Sequence, residues 1–136
     1  MDKISPLVGQ TIRKLGLVRP AHIAIDLDVI CHPQFGGRPY AIPLLSALKE
    51  KGYVIVILGT NLTFNAISKA LGQSKMSELV NAYTNDTTST EIQWWITASA
   101  DTYEAHPEGW HIPEWNGSRK DRTLEKYVKH ILSIKE

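Results

Sequence analysis

The sequence predicts an α/β domain: a mainly parallel five-stranded sheet, Rossmann-like, with helices on both faces in three layers. Three observations carry that expectation. Short continuous apolar runs alternate with stretches of helical periodicity, as in βαβ units. The two clearest runs, His22 to Ile25 and Tyr53 to Leu58, show no in–out alternation and so belong to strands buried on both faces. Finally, polar residues that could do chemistry follow these runs directly, at the edge where open α/β sheets bind ligands.

The elements follow in order. Residues 4–16 read as a leading helix, with Ser5 as cap, Pro6 at the first helical position and Gly16 at the end; Val8, Ile12 and Leu15 mark its sticky face. Residues up to 20 link it to the first strand, which ends in Asp26-Leu27-Asp28. Residues 31–40, rich in Gly and Pro, read as a large flap loop. A helix through Ala41, Ile42, Leu44, Leu45 and Leu48 is stopped by Gly52. The strand to Leu58 runs into Gly59-Thr60-Asn61, and a helix with Phe64, Ile67 and Leu71 on one side ends at Gly72. Ser74 is placed to cap a short helix carrying Met76, Leu79 and Val80. A third strand is expected near 81–84, then a polar loop over 85–91. Ile92 to Thr97 reads as the fourth strand, with Asp101 just past it, and Gly109 to Pro113 as a short fifth. The closing helix, 118–136, is capped near Ser118 and buries Leu124, Tyr127, Val128 and Ile131.

Composition sets bounds on function. A chain of 136 residues with 43% hydrophobic and 21% charged residues fits one globular domain, 1–136, able to bury its own core. A net charge of +1 calls for neither nucleic acid nor an anionic membrane surface. No apolar run approaches the roughly 18 residues that span a bilayer, and no signal-peptide pattern opens the chain. The single cysteine, Cys31, fits a reducing compartment, so a soluble cytoplasmic protein is expected. Cys31-His32 lacks zinc-type spacing, the pair His106 and His111 lies in a loop, and the four tryptophans fit core positions better than base stacking.

The chemistry concentrates at the strand ends. Asp26 and Asp28 follow strand one, Thr60 and Asn61 follow strand two, and Asp101 follows strand four. Carboxylates crowded together are costly unless a proton or a cation neutralises them. Mg²⁺ is the natural choice, since it takes one or two carboxylates together with waters and phosphate oxygens. A hydroxyl such as Thr60 beside a helix start suits phosphate oxygens.

These residues resemble the motifs of the haloacid dehalogenase-like hydrolase superfamily. HIAIDLDVIC (22–31) looks like its first motif, an apolar strand followed by Asp-x-Asp-Gly. PLLSALKEKGYVIVILGTN (43–61) resembles its second, and ITASADTYEAHPEGWHI (96–112) its fourth. The resemblance implies a strand order of 5-4-1-2-3. It implies a phosphohydrolase in which Asp26 is the nucleophile, forming an aspartyl-phosphate, and Asp28 the general acid/base. Thr60, with Asn61 beside it, would bind phosphate, and Mg²⁺ would be held by Asp26, Asp28 and Asp101. The gap between motifs one and two leaves no room for a large cap. Capless members resemble enzymes that act on macromolecules or lean on a partner, so the expected substrate is phosphorylated, with a protein partner or a second copy to close the site.

Three departures open an alternative, a catalytically silent binding domain of the same fold. Val29 stands where the family has Gly, no Lys lies in residues 85–93, and Glu104 falls one residue short of the usual second acid. Lys69, Lys75, Arg119 and Lys120 are the cations left to replace the lysine. A further alternative is a PIN/NYN-like metal-dependent nuclease, with Ser99-Ala100-Asp101-Thr102 as its acidic motif and Asp86 and Glu91 as additional acids.

Overall fold

A computed structural model describes residues 21–32, 34–59 and 62–133. The leading helix expected over 4–16, the pair Thr60 and Asn61 expected to bind phosphate, and residues 134–136 of the expected closing helix lie outside the described residues.

Strand β1 (His22–Asp26) is central, and every residue from Ile23 to Asp26 is buried. It continues into a single helical turn, α1 (Leu27–Ile30), and then a small hairpin, β2 (Cys31–His32) with β3 (Gly36–Gly37). Helix α2 (Ala41–Glu50) leads through the Gly52 turn to β4 (Val54–Leu58). Helix α3 (Phe64–Gln73) and a short 3-10 turn (Ser77–Leu79) precede β5 (Ala82–Thr84). Strand β6 (Trp94–Thr97), helix α4 (Ala100–Ala105), strand β7 (Trp110–His111) and helix α5 (Glu125–Leu132) complete the chain.

All four pairings of the main sheet are parallel, in the order β5-β4-β1-β6-β7. That order differs in its numbering from the expected 5-4-1-2-3 because the flap, read as a loop, carries two strands of its own, which form a separate sheet. β1 lies between β4 and β6, with Asp26 opposite Leu58 and Ile25 opposite Ile96. The ends of the first and fourth strands of the main sheet are therefore neighbours.

The pleat sends alternate residues to opposite faces. Ile23, Ile25, Ile55, Ile57, Trp94 and Ile96 join one large core with the buried sides of α2, α3 and α5. On the other face Ala24, Leu58 and Trp95 form a small separate cluster. Helix α4 serves that side: His106, just past it, stacks on Trp95 with ring centroids 4.0 Å apart. Gly109 is required here, because a Cβ would lie 2.0 Å from the Trp95 carbonyl oxygen. Among the described residues no helix is long and apolar enough to cross a membrane.

Three boundaries depart from the reading of the sequence. Ser74 ends α3 instead of opening the next helix, because Met76 fills the core where a second helical turn would start. The fourth strand begins at Trp94, with Ile92 left half-buried beside it. The closing helix starts at Glu125 and not at Ser118, since residues 115–121 are drawn into contacts with the flap.

Helix α3 is capped by Thr63, whose Oγ1 accepts the Ala66 N–H at 3.1 Å. Thr63→Ala orphans that donor and is expected to cost about 1 kcal/mol, read as a lower urea midpoint at unchanged slope. An unaltered midpoint would mean that the cap contributes nothing.

Candidate active site

Asp26 sits at the carboxyl end of β1 and is 8% exposed. Its Oδ2 accepts the Thr97 hydroxyl at 3.1 Å and the Ala98 N–H at 3.3 Å. Both donors come from the end of β6, so the pairing of β1 with β6 aims the carboxyl. The Asp28 N–H adds a further contact. Burial nonetheless dominates and pushes the Asp26 carboxyl above the usual aspartate range, against the lowering effect of these donors; the charge of Glu114 raises it further.

Asp28 is exposed in α1. The turn needs no glycine: the chain leaves β1 through a helical turn closed by the Cys31 N–H on the Leu27 carbonyl, and no residue from Asp26 to Cys31 has a positive φ. A helical backbone suits Val29, which becomes a fully buried core residue. Partial burial raises the Asp28 carboxyl, as do the charges of Asp26 and Glu114, while His32 lowers it.

Glu114 is thus the third acid of this edge, and sequence reasoning missed it. It is placed by Arg38, whose buried Nη1 donates to the Val29 carbonyl at 3.1 Å and to the Pro113 carbonyl at 2.8 Å. One guanidinium thereby fastens the residue after Asp28 to the residue before Glu114. No local pattern signals this; the contact joins residues 75 positions apart.

Asp101 occupies the first turn of α4 with an exposed side chain. The turn before it donates the Ala98 N–H to Asp26, so it belongs to the same edge, but it is Glu114 whose charge acts on Asp26 and Asp28. Thr60 and Asn61 fall outside the described residues. Asn85 Nδ2 donates to the carbonyls of Gly59 at 2.6 Å and Leu62 at 3.0 Å.

The cations considered as replacements for a phosphate-binding lysine are engaged or distant in sequence. Arg119 donates to the carbonyls of Phe35 and Gly37, at 2.6 and 3.2 Å, and lies over the Trp115 ring. Lys69 and Lys75 are exposed on and after α3. His32 is the cation-forming group that acts on Asp28. Its Nδ1 accepts the Gln34 N–H at 3.0 Å, which leaves Nε2 as the donor of the neutral ring. Burial pushes the Cys31 thiol up to about 11, so this cysteine is a core residue and no nucleophile. Asp86 is turned onto Thr88, accepting both its N–H and its hydroxyl.

Two carboxyls raised by burial and by the charge of Glu114, Asp28 also by that of Asp26, form an all-oxygen donor set that a hard cation would relieve. Among the described residues no group of three or more His, Cys, Asp or Glu side chains is gathered closely enough to hold a metal ion. A hard cation such as Mg²⁺ takes one or two carboxylates with the rest of its shell from water or phosphate, and the acids of this edge could fill that role. No protein-family model matches the chain, and no curated protein matches it.

Proposed function

We propose that the protein is a Mg²⁺-dependent phosphohydrolase of the haloacid dehalogenase-like kind, acting through an aspartyl-phosphate on Asp26. One observation carries the reading: a buried carboxyl at the end of the central parallel strand, aimed by Thr97 and Ala98 from the neighbouring strand, with a second carboxyl two residues on, in the turn α1.

In this reading Asp26 attacks the phosphorus of a phosphate monoester, and the alcohol leaves with a proton from Asp28. A carboxyl raised by burial and neighbouring charge suits a proton donor that later serves as base for the hydrolytic water. Asp26 would hold Mg²⁺ by its carboxylate, with Asp101 as the resemblance implies, while Asp28 keeps its proton for the alcohol. The cation would neutralise charge between carboxylate and phosphate and favour the ionised state that burial disfavours at Asp26. Glu114 strengthens the field that draws a cation to this edge. Thr60 and Asn61 would take phosphate oxygens, and Asp101 would add to the acidic rim.

A second reading, a binding domain without turnover, is favoured because no lysine or arginine among the described residues acts on Asp26 and Asp28. One experiment separates the two. Purified protein is given a panel of phosphate monoesters with and without Mg²⁺, and beryllofluoride is titrated in while fluorine NMR is recorded. The expected result is turnover that requires Mg²⁺ and an adduct on Asp26. No turnover and no adduct across the panel would leave the binding domain.

A further inference from the structure

The flap presents an aromatic side chain that the hydrolytic chemistry does not use. Phe35, at the hairpin tip, is 45% exposed, yet it is held on several sides. Its ring stacks on His32, with centroids 4.4 Å apart and planes 26° from parallel. Trp115 meets it edge-on at 5.9 Å. Gly117, at φ +91°, lies so close that a Cβ there would come within 2.7 Å of the ring. The backbone is fixed as well: the Phe35 N–H donates to the His32 carbonyl at 3.2 Å, and Arg119 donates to the Phe35 carbonyl at 2.6 Å. Arg119 is itself seated on Trp115, 4.7 Å from the ring centroid.

An exposed phenylalanine on a mobile loop would be unremarked. One clamped by an arginine, two rings and a glycine is preorganised, and its exposed surface has its ordering cost already met before any ligand arrives. Its position matters too. His32 bridges the two functions: it lies four residues beyond Asp28, in β2 just past the turn α1, and carries Phe35 on its ring. His32 acts on the charge of Asp28, so the hairpin that carries Phe35 adjoins the acidic edge.

We infer that Phe35, backed by His32, is a stacking platform for a planar ring in the leaving group, so that the substrate is a ring-bearing phosphate monoester such as a mononucleotide or an aryl phosphate. The inference rests on the phosphohydrolase reading for its placement of the phosphate. Stacking on an aromatic side chain tolerates any base or aryl ring, because each offers a π-face. It therefore selects for a class and not for one compound.

The test compares wild type, Phe35→Ala and Phe35→Tyr on adenosine monophosphate, nitrophenyl phosphate and the ring-free glycerol phosphate. Phe35→Ala is expected to raise KM about tenfold for the two ring-bearing esters, the scale of one lost stack, with kcat/KM for glycerol phosphate unchanged. Phe35→Tyr, which keeps the ring, is expected to behave as wild type. The preferred ring-bearing ester identifies the source, nucleotide or aryl. An equal loss on all three substrates would make Phe35 a structural tie and overturn the inference, as would no change on any. If wild type turns over none of them, the hydrolase reading fails by itself. Trp fluorescence then decides, because Trp115 touches Phe35: saturable quenching by adenosine monophosphate in wild type but not in Phe35→Ala upholds the platform, and no quenching overturns it.

Discussion

Asp26→Asn is expected to lower kcat by about a thousandfold or more while raising the melting temperature at neutral pH. Both effects come from one fact, that a carboxylate is kept where burial disfavours its charge. The activity loss follows because an amide oxygen is no nucleophile toward phosphorus. The amide can still turn an oxygen toward Thr97 and Ala98, so local packing survives. The stability gain follows from linkage. A carboxyl whose folded-state pKa is raised binds its proton more tightly folded than unfolded, so stability falls as pH climbs from the unfolded value through the folded one. Above that window wild type carries the full penalty, and asparagine, which never ionises, does not. The difference in melting temperature between wild type and Asp26→Asn is therefore expected at neutral pH and should shrink as the buffer is taken into the acid range. Mg²⁺ should raise the melting temperature of wild type more than that of the variant. A variant that melts lower than wild type at neutral pH would mean that the carboxylate is structural, and full activity would remove Asp26 from the chemistry.

The elements that position this site were the legible ones. The runs Ile23 to Ile25 and Val54 to Leu58 are apolar at every position, a pattern that only a strand covered on both faces sustains, and their order along the chain followed from βαβ alternation. Helices α2 and α3 announced themselves by spacing, and α2 by the stop at Gly52; Gly72, expected to end α3, lies inside it, and the helix runs to Gln73. The flap did not. Gly36 and Gly37 carry no side chains to show a period of two, and the pairing that makes them a strand is a backbone matter. The region 113–121 was misread for a different reason. Ser118 has the right local chemistry for a helix cap, but Arg119 and Asp121 on either side of Lys120 are taken by partners more than 80 positions earlier in the chain. Local propensity lost to tertiary contacts there. Glu114 was invisible for the same reason, since nothing near it in sequence tells that its neighbour Pro113 shares a guanidinium with Val29.

That guanidinium carries the largest expected effect on stability. Arg38 is 4% exposed and spends its fork on three partners: the Val29 carbonyl, the Pro113 carbonyl and the Asp121 carboxylate, the last at 3.3 and 3.4 Å. Burial works against the ionised Asp121, yet the Thr123 N–H and the Arg38 guanidinium together hold its carboxyl below the usual range. Arg38→Ala removes the donors and leaves the acceptors enclosed, a change that costs ~3–5 kcal/mol when a buried ion pair loses one partner. Against the roughly 5–15 kcal/mol that holds a typical domain together, that is a large share. Arg38→Lys keeps the charge but has no planar fork to serve two carbonyls and a carboxylate at once, so it should recover only part of the loss. Asp121→Asn removes charge from one arm and leaves both carbonyl contacts intact, so it should cost least. Urea titrations of the three variants are expected to rank Asp121→Asn, Arg38→Lys and Arg38→Ala in order of increasing damage. The reverse order for the first and last would show that the ion pair, and not the bridging of Val29 to Pro113, is what joins the flap to the acidic edge. In the expected order, the surviving folded fraction of Arg38→Lys should also lose turnover beyond its loss of stability, because the same fork sets Asp28 and Glu114 side by side.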